Sequence, residues 1–310
     1  MTALRAHWRR FWFAPQLATN LAVSRLVFFG AVLLYYWHVD FSEWADVSPV
    51  LSDPIALFRF LSLPVFSHSV LTVTQAVWKV SLATSCVGLA TRASTAVACV
   101  LGTYLMGVPQ NFGTHHHDAL LAIICGILAL SRCGDAWSLD RWLWSSRLPA
   151  GLLPANGEYR WPIRLVWVAM VCVFFAAGIS KLRWGGLRWV MSDTLAITLI
   201  QAGYHVADRD PLARWGLQLA HHVWMCRVVA AGVLLSELSV PLALFNGYAR
   251  RVLVPTLFCI QIGIRLVMGA SFTQFLAAYV FWIPWEEMVR RISAAFPASA
   301  AAPAQDAPAR

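Results

Sequence analysis

Charged side chains are scarce in this chain, at 13% of its 310 residues, whereas soluble domains contain about 25%. Hydrophobic residues make up 59% of the sequence, and the mean hydropathy is +0.62. This balance excludes a water-soluble globular domain. It predicts an all-α protein, a polytopic helical bundle that spans a lipid bilayer.

The sequence also lacks a polar, basic domain that could bind nucleic acid, although its formal net charge is +9. Its arginines stand between apolar runs, which is the pattern that the positive-inside rule produces in membrane proteins. We therefore predict no nucleic-acid partner and a location in the cell (inner) membrane.

Metal-binding spacings are missing as well. The seven cysteines include no CxxC pair and no Cys–His spacing typical of zinc, so neither a disulfide framework nor a zinc site is indicated. His115, His116 and His117 are consecutive, and consecutive helical residues point about 100° apart, so they do not readily converge on one ion. We predict no metal.

Eight apolar runs predict about eight transmembrane helices. The connection between the fifth and sixth runs is long, and its pattern predicts two short amphipathic interfacial helices, at 189–204 and 212–225. The predicted spans are 21–37, 70–89, 93–108, 115–131, 163–179, 228–245, 252–268 and 272–285.

The sequence also predicts the environment of Arg25 and the state of the C-terminal stretch. Arg25 lies in the first turn of the first span, where its long side chain is expected to snorkel toward the interface. The Ala/Pro-rich stretch 294–310 is predicted to be disordered. Residues 1–293 then form one transmembrane domain.

Lysine is nearly absent, because only Lys79 and Lys181 stand among 24 lysines and arginines. Arginine keeps its proton in proteins, whereas a lysine in a desolvated pocket can release its proton and act as a base. Lys181 follows the small residues at 176–178 at the end of the fifth predicted span. Two interpretations stay open: a base, or a snorkelling anchor at a helix end.

Glu237 is a carboxylate within the sixth predicted span. Because burying a carboxylate in a membrane is costly, such a residue is a functional candidate by default. The alternative is a structural hydrogen bond, with Glu237 either protonated or paired with Arg265 or Arg227. In both cases we expect Glu237 to be buried and to face other helices.

Two sequence blocks resemble one known family across nearly the whole chain. The first is Phe-Ala-Ala-Gly-Ile-Ser-Lys-Leu at 175–182, followed by a Trp/Gly segment. The second is His117 at the opening of a span, with Trp-Ser-Leu-Asp at 137–140 about twenty residues on. Together they are similar to the horizontally transferred transmembrane (HTTM) domain, best known as the membrane half of vitamin K-dependent gamma-carboxylase.

The resemblance implies a catalytic centre. In that family the lysine matching Lys181 deprotonates vitamin K hydroquinone, and the oxygenated quinone then becomes the strong base that acts on a peptide glutamate. The histidine matching His117 belongs to the same centre, and an acidic residue occupies the place of Glu237. The resemblance therefore implies a quinone or hydroquinone cofactor, with Lys181, His117 and Glu237 as catalytic residues.

Four further residues are expected to bind the cofactor. Trp184 and Trp189 are expected to seal a dry pocket around the lysine, as a neutral amine requires. Gln261 lies in the seventh span, where many relatives of the family have histidine, and Arg265 follows one turn later.

The expected function is a membrane-embedded, quinol-dependent enzyme of the lyase or oxygenase type that acts on the outer side of the membrane. The carboxylase has a large lumenal domain after its helices, and none follows the eighth predicted span, so a protein-glutamate carboxylase is not expected. Two alternatives stay open. One is a non-catalytic helper that matures or exports a small secreted peptide. The other is a carrier or channel with Glu237 and Arg265 in its pathway.

The distribution of arginine predicts the orientation of the chain. With the N-terminus inside and eight alternating spans, twelve arginines fall on the inner side, and the outer basic residues lie mainly in one long loop. Both termini are then cytoplasmic. His115–His117 and Lys181 share the outer face.

Reporter fusions test this topology. Fusions after Arg147 and after Arg310 should both report a cytoplasmic location, and a fusion after Asp210 should report an external one, because the arginine-rich segments are retained inside. An external signal at Arg147 would contradict the eight-span arrangement.

Overall fold

The computed structural model describes residues 2–113, 118–143, 153–206, 214–269 and 273–295. Within these ranges the secondary structure is helical, and the only extended pairing is an isolated antiparallel bridge between Gln16 and Asn156. The predicted all-α class is confirmed. The predicted disordered tail lies outside the described residues from 296 onward, and the last described helix runs two residues past the expected boundary at 293.

The described residues form sixteen α-helices and five 3-10 helices. The α-helices are α1 (Thr2–Phe13), α2 (Ala18–Tyr36), α3 (Ala56–Leu61), α4 (His68–Val87), α5 (Thr91–Gly107), α6 (Ala119–Leu130), α7 (Leu139–Leu143), α8 (Trp161–Gly185), α9 (Arg188–Met191), α10 (Thr194–Val206), α11 (Arg214–Ala220), α12 (Val223–Ser239), α13 (Leu242–Phe245), α14 (Gly247–Met268), α15 (Thr273–Leu276) and α16 (Trp285–Ala295). The 3-10 helices are Ser42–Asp46, Pro49–Leu51, Pro109–Phe112, Gly157–Tyr159 and Ala277–Trp282.

Four helices of the described chain are long and apolar enough to cross a membrane: α2, α4, α8 and α14. They correspond to the first, second, fifth and seventh predicted spans. The third and sixth correspond to α5 and α12, which have 17 residues each, and the fourth corresponds to α6, which has 12. A bilayer core of about 30 Å requires roughly 20 helical residues.

The last predicted span, 272–285, is not one α-helix. It consists of α15 and the 3-10 helix Ala277–Trp282, which is largely buried. Two neighbouring helices donate side-chain hydrogen bonds to its carbonyls. Ser24 Oγ on α2 donates to Val280 O at 3.4 Å, and Trp167 Nε1 on α8 donates to Phe281 O at 2.8 Å. These bonds satisfy carbonyls that a longer α-helix would pair within itself.

The outer helices also differ from their predicted limits. The sixth predicted span divides into α12 and α13 at Val240–Pro241, because proline has no N–H to continue the helix. The predicted interfacial helix 189–204 is interrupted after Met191, giving α9 and α10. The second, 212–225, ends at Ala220, and Met225 belongs to α12.

Arg25 on α2 does not snorkel, so that expectation was wrong. Its side chain is fully buried, at 0% exposure, and its guanidinium donates to Cys133 O at 2.9 Å and to Trp137 O at 2.5 Å. The loop that follows α6 supplies these carbonyls. A cation in an apolar bundle is stabilised by such acceptors, since desolvation without them is costly.

The turn between α4 and α5 is held by the Trp-Ser-Leu-Asp block. Asp140 accepts hydrogen bonds from Ala90 N, Thr91 N and Thr91 Oγ1, each at 2.7 Å, and so caps the N-terminus of α5 from a distant segment. Gly88 has φ +73°, and an added Cβ would lie 2.5 Å from Ser138 Cβ. The contact therefore requires glycine at this turn.

Asp140 should stabilise the fold through this cap. Burial of its carboxyl disfavours ionisation, but the hydrogen bonds from Thr91 and Ala90 outweigh burial and lower the pKa of Asp140. Asp140→Ala should reduce the free energy of unfolding by about 1–2 kcal/mol. Thermal unfolding in detergent measures the change.

The pH dependence and a surface control complete this test. A lowered pKa in the folded state means that the stabilisation is present above the unfolded-state pKa of about 3.9 and is lost as the pH falls below it. The two proteins should therefore converge in stability at acidic pH. Asp53→Ala removes an exposed ion pair with Arg59 and should have little effect. A constant difference at all pH values would contradict the cap.

Candidate functional site

The candidate site is built where α8 and α12 pack closely. Gly178 on α8 is buried against α12, and an added Cβ would lie 3.1 Å from both Glu237 Cβ and Leu238 Cδ2. The small residues at 176–178 predict the close approach of a neighbouring helix, for which the fourth span is the candidate from the sequence. The helix that lies against Gly178 is instead α12, from the sixth predicted span.

This contact brings the two sequence candidates together. Lys181 is three residues after Gly178, on the same face of the helix. Its Nζ donates to Glu237 Oε1 at 2.5 Å and to Oε2 at 2.7 Å. The side chains are 21% and 9% exposed, respectively. Both carboxylate oxygens are thus used by one ammonium group, which is a charge-assisted arrangement of the strong kind.

Helix α8 is longer than predicted, which changes the position of Lys181. The predicted span ends at 179, whereas α8 continues to Gly185, so Lys181 lies within the helix rather than beyond its end. The expectation that Glu237 is buried and faces other helices is confirmed. Its partner is Lys181, and not Arg227 or Arg265. Arg227 Nη2 instead pairs with Asp193 Oδ1 at 3.0 Å.

The two predicted sealing tryptophans behave differently. Trp189, on α9, is half-buried, and Lys181 Nζ lies 5.7 Å from the centroid of its ring. Trp184 is 80% exposed and does not cover the lysine within the described chain. Its ring instead lies against the guanidinium of Arg183, whose Cζ is 5.4 Å from the ring centroid. One indole therefore flanks the pair.

Gln261 and Arg265 both lie on α14 and are partly buried. Among the described residues, no hydrogen bond or ion pair joins either side chain to Lys181 or Glu237. Gln261 Oε1 is buried without a hydrogen-bond partner in this part of the chain.

His117 lies outside the described residues, as do His115 and His116. The next residue, Asp118, accepts a hydrogen bond from Tyr36 Oη at 2.6 Å. Tyr36 is the last residue of α2, and its partner Asp118 immediately precedes α6.

The positions of Tyr36 and Lys181 along the bundle can be compared by measuring each from the 3-10 helix Ala277–Trp282, which contacts both α2 and α8. Ser24 on α2 and Trp167 on α8 hold adjacent carbonyls of the same 3-10 helix, and both helices run away from the end where Gln16 pairs with Asn156. At ~1.5 Å per residue, Tyr36 lies about 18 Å beyond Ser24 and Lys181 about 21 Å beyond Trp167. The end of the bundle that holds Asp118 therefore also holds the Lys181–Glu237 pair.

One basic cluster was missed by reasoning on the sequence. Arg164 and Arg250 lie against the Trp167 ring at the opposite end of α8, and Arg160 lines the same cavity, whereas the sequence suggested only loop charges of the inner side. The spacing of Arg160 and Arg164, one helical turn apart, was the available signal. Arg250 comes from a distant helix, so only the fold shows the cluster.

Comparisons with known proteins do not assign the chain to a family. A scan against protein-family models, a search of curated proteins and a search of solved structures each found no match. Within the described residues, no three His, Cys, Asp or Glu side chains are grouped to hold a metal ion. The functional argument therefore depends on the chemistry of the site.

Substitution of Glu237 tests the pair. Glu237→Leu leaves the Lys181 ammonium in a mostly buried position without its acceptor, which should cost about 3 kcal/mol of unfolding free energy. Glu237→Gln keeps one acceptor oxygen and should cost less. Thermal unfolding of the purified variants gives the order.

A double variant serves as the control. Lys181→Met combined with Glu237→Leu replaces both partners by apolar groups and should recover most of the stability lost by Glu237→Leu alone. If Glu237→Leu is as stable as the wild type, the two side chains do not interact as described.

Proposed function

We propose that this chain is a membrane-embedded enzyme of the HTTM type, related to vitamin K-dependent gamma-carboxylase, which uses Lys181 as a base at the outer side of the membrane. The eight predicted segments cross the bilayer, with both termini cytoplasmic. The eighth crosses as α15 and a 3-10 helix inside the bundle, where neighbouring side chains satisfy its carbonyls. Irregular backbone at membrane depth is tolerated where protein surrounds it.

One observation supports this proposal most directly: the bidentate contact between Lys181 Nζ and the Glu237 carboxylate, at 2.5 and 2.7 Å. In apolar surroundings the charged pair pays a desolvation cost that its neutral form avoids. The proposed role as a base requires a proton to move along this contact from the lysine nitrogen to a carboxylate oxygen. Lys181 is one of only two lysines in the chain, so its presence at this contact is unlike the general use of arginine for positive charge.

The proton transfer can be written atom by atom. An N–H bond of the Lys181 ammonium breaks, an O–H bond forms on Glu237, and both groups become neutral. The Lys181 amine then holds a lone pair and can accept a proton from a bound acid. When Glu237 then releases the first proton, which it took from the ammonium, to the outer solution, the ammonium–carboxylate pair is restored. Glu237 thus holds the first proton and positions Nζ through the second carboxylate oxygen.

The residues around Lys181 fit a hydroquinone. The Lys181 side chain is 21% exposed, and the ring of Trp189 flanks its Nζ. When bound, a hydroquinone would supply an acidic O–H group and, after reaction with oxygen, a strong base. Lys181, Trp189 and Glu237 are the residues that would hold it, with His117 as a further proposed partner.

Replacement of each lysine by arginine provides the sharpest test. Lys181→Arg keeps the positive charge and an ion pair with Glu237, but arginine cannot accept a proton near neutral pH. We expect at least a hundredfold loss of hydroquinone oxidation, measured by chromatography of the quinone products in nanodiscs. Stability should change little.

Lys79→Arg is the matched control. Lys79 lies on α4 and, within the described chain, donates to the carbonyls of Trp37 and Val39, both at 3.0 Å. Its replacement should leave turnover unchanged. Full activity of the Lys181→Arg variant would show that the lysine is an anchor and not a base.

The two alternative functions predict other results. Mass spectrometry of small molecules that co-purify in mild detergent should detect a quinone if the enzyme proposal is right. Solute flux in proteoliposomes that is lost in Lys181→Arg, without any quinol turnover, would favour a carrier. A co-purifying secreted peptide with no chemical modification would favour a helper protein.

A further inference from the structure

A large cavity lies at the end of the bundle opposite to Lys181. Its volume is about 1050 Å³, and it is bounded by the start of α8, the first half of α14, the segment before α2 and the 3-10 helix Ala277–Trp282. Arg164, in its wall, and Lys181 lie on the same helix, about 26 Å apart along its axis at ~1.5 Å per residue. The cavity is therefore separate from the proposed catalytic site.

Aromatic rings organise the cationic wall of this cavity. Trp167 and Trp282 stack with their ring centroids 4.3 Å apart and an interplanar angle of 5°. The guanidinium carbons of Arg164 and Arg250 lie 4.2 and 4.3 Å from the centroid of the Trp167 ring. The indole thus holds two cations from different helices, α8 and α14, beside one another.

Two buried polar groups in the lining have no partner. Arg164 is 9% exposed, yet its Nη1 makes no hydrogen bond within the described chain, and neither does Tyr279 Oη. A buried donor without a partner is destabilising, and more so when it is charged. Both residues line the cavity. They supply hydrogen-bond donors that a ligand in the cavity could satisfy.

The positive charge of the wall exceeds its negative charge, although Arg160 and Arg250 donate to backbone carbonyls. Four arginines line the cavity: Arg160, Arg164, Arg250 and Arg251. In the described part of the chain none of them forms an ion pair. Glu286 and Glu287 line the cavity as well, but Glu287 is paired with Arg291. The lining therefore retains a net positive charge and favours an anion.

We propose that this cavity binds the anionic phosphate group of an amphiphile, of the kind found in a phospholipid headgroup. Guanidinium groups match the oxygens of phosphate through paired donors. The volume is much larger than a single phosphate ion requires, and Ile163, Val254 and Phe258 add apolar walls for a chain or glycerol backbone. In the proposed orientation the cavity faces the cytoplasmic side, where basic pockets between helices bind anionic headgroups.

Lipid binding to the purified full-length chain tests the proposal. Tryptophan fluorescence in dodecylmaltoside micelles would be titrated with phosphatidylglycerol, phosphatidylcholine, oleate and inorganic phosphate. We expect phosphatidylglycerol to bind at least tenfold more tightly than phosphatidylcholine or oleate. Competition by inorganic phosphate would assign the recognition to the headgroup alone, and no competition would assign it to the intact amphiphile. Equal binding of phosphatidylcholine or oleate would overturn the proposal.

Variants locate the binding site. Arg164→Gln and Arg250→Gln should each weaken phosphatidylglycerol binding at least tenfold. Arg251→Gln, at an exposed position that the fold tolerates, should weaken it about threefold and keeps the test valid if the buried variants fail to fold. Arg290→Gln is the matched control, because it removes one positive charge from the exposed face of α16 and does not line the cavity. If Arg290→Gln weakens binding as much as the folded cavity variants do, the attraction is non-specific and the proposal is wrong.

Discussion

The desolvation of cationic side chains is the constraint on which much of this bundle depends. A lysine or arginine enclosed by apolar helices lowers the stability of the fold by several kcal/mol unless hydrogen-bond acceptors surround it. Arg25 solves this with two backbone carbonyls from the loop after α6, and Lys79 with two carbonyls near the end of α2. These bonds join segments far apart in the chain. The same hydrogen bonds therefore satisfy the charged groups and hold the helices in their tertiary arrangement.

Lys181 meets that constraint differently, since its acceptor is a carboxylate on another helix. A backbone carbonyl cannot take up a proton, whereas a carboxylate can, so of the two lysines Lys181 is the one whose hydrogen-bond partner can accept a proton. The approach depends on Gly178, because a side chain there would push α12 away from α8. Gly178 thus sets the distance between α8 and α12, and that distance brings Lys181 within hydrogen-bonding reach of Glu237.

The blocks that resemble the HTTM family have separate physical roles. The Trp-Ser-Leu-Asp block is structural in this chain, since Asp140 caps α5 and the carbonyl of Trp137 accepts from Arg25. The block around Lys181 supplies the contact with Glu237. The Trp-Ser-Leu-Asp block therefore bears on how the helices are held, and the Lys181 block is the one on which the proposed function depends.

Much of the outline follows from the sequence alone. Apolar runs of helical length and sparse charge dictate helices, because only helices or closed barrels satisfy the backbone in lipid, and the first, second, fifth and seventh spans lie where the hydropathy places them. The rarity of lysine and the carboxylate in an apolar run identified Lys181 and Glu237 as candidates, since both features are costly without a partner.

Tertiary structure decided which groups meet. Hydropathy reports how much of a segment is apolar, but not which neighbour covers it, so the partner of Glu237, the burial of Arg25 and the helix against Gly178 could not be read from it. The interrupted helix at Ala277–Trp282 depends on hydrogen bonds from Ser24 and Trp167, which are distant in sequence. The arginine cavity arises for the same reason. Its charges come from separate helices that share one indole ring, and pairing across the fold is a property of three-dimensional packing rather than of any local pattern.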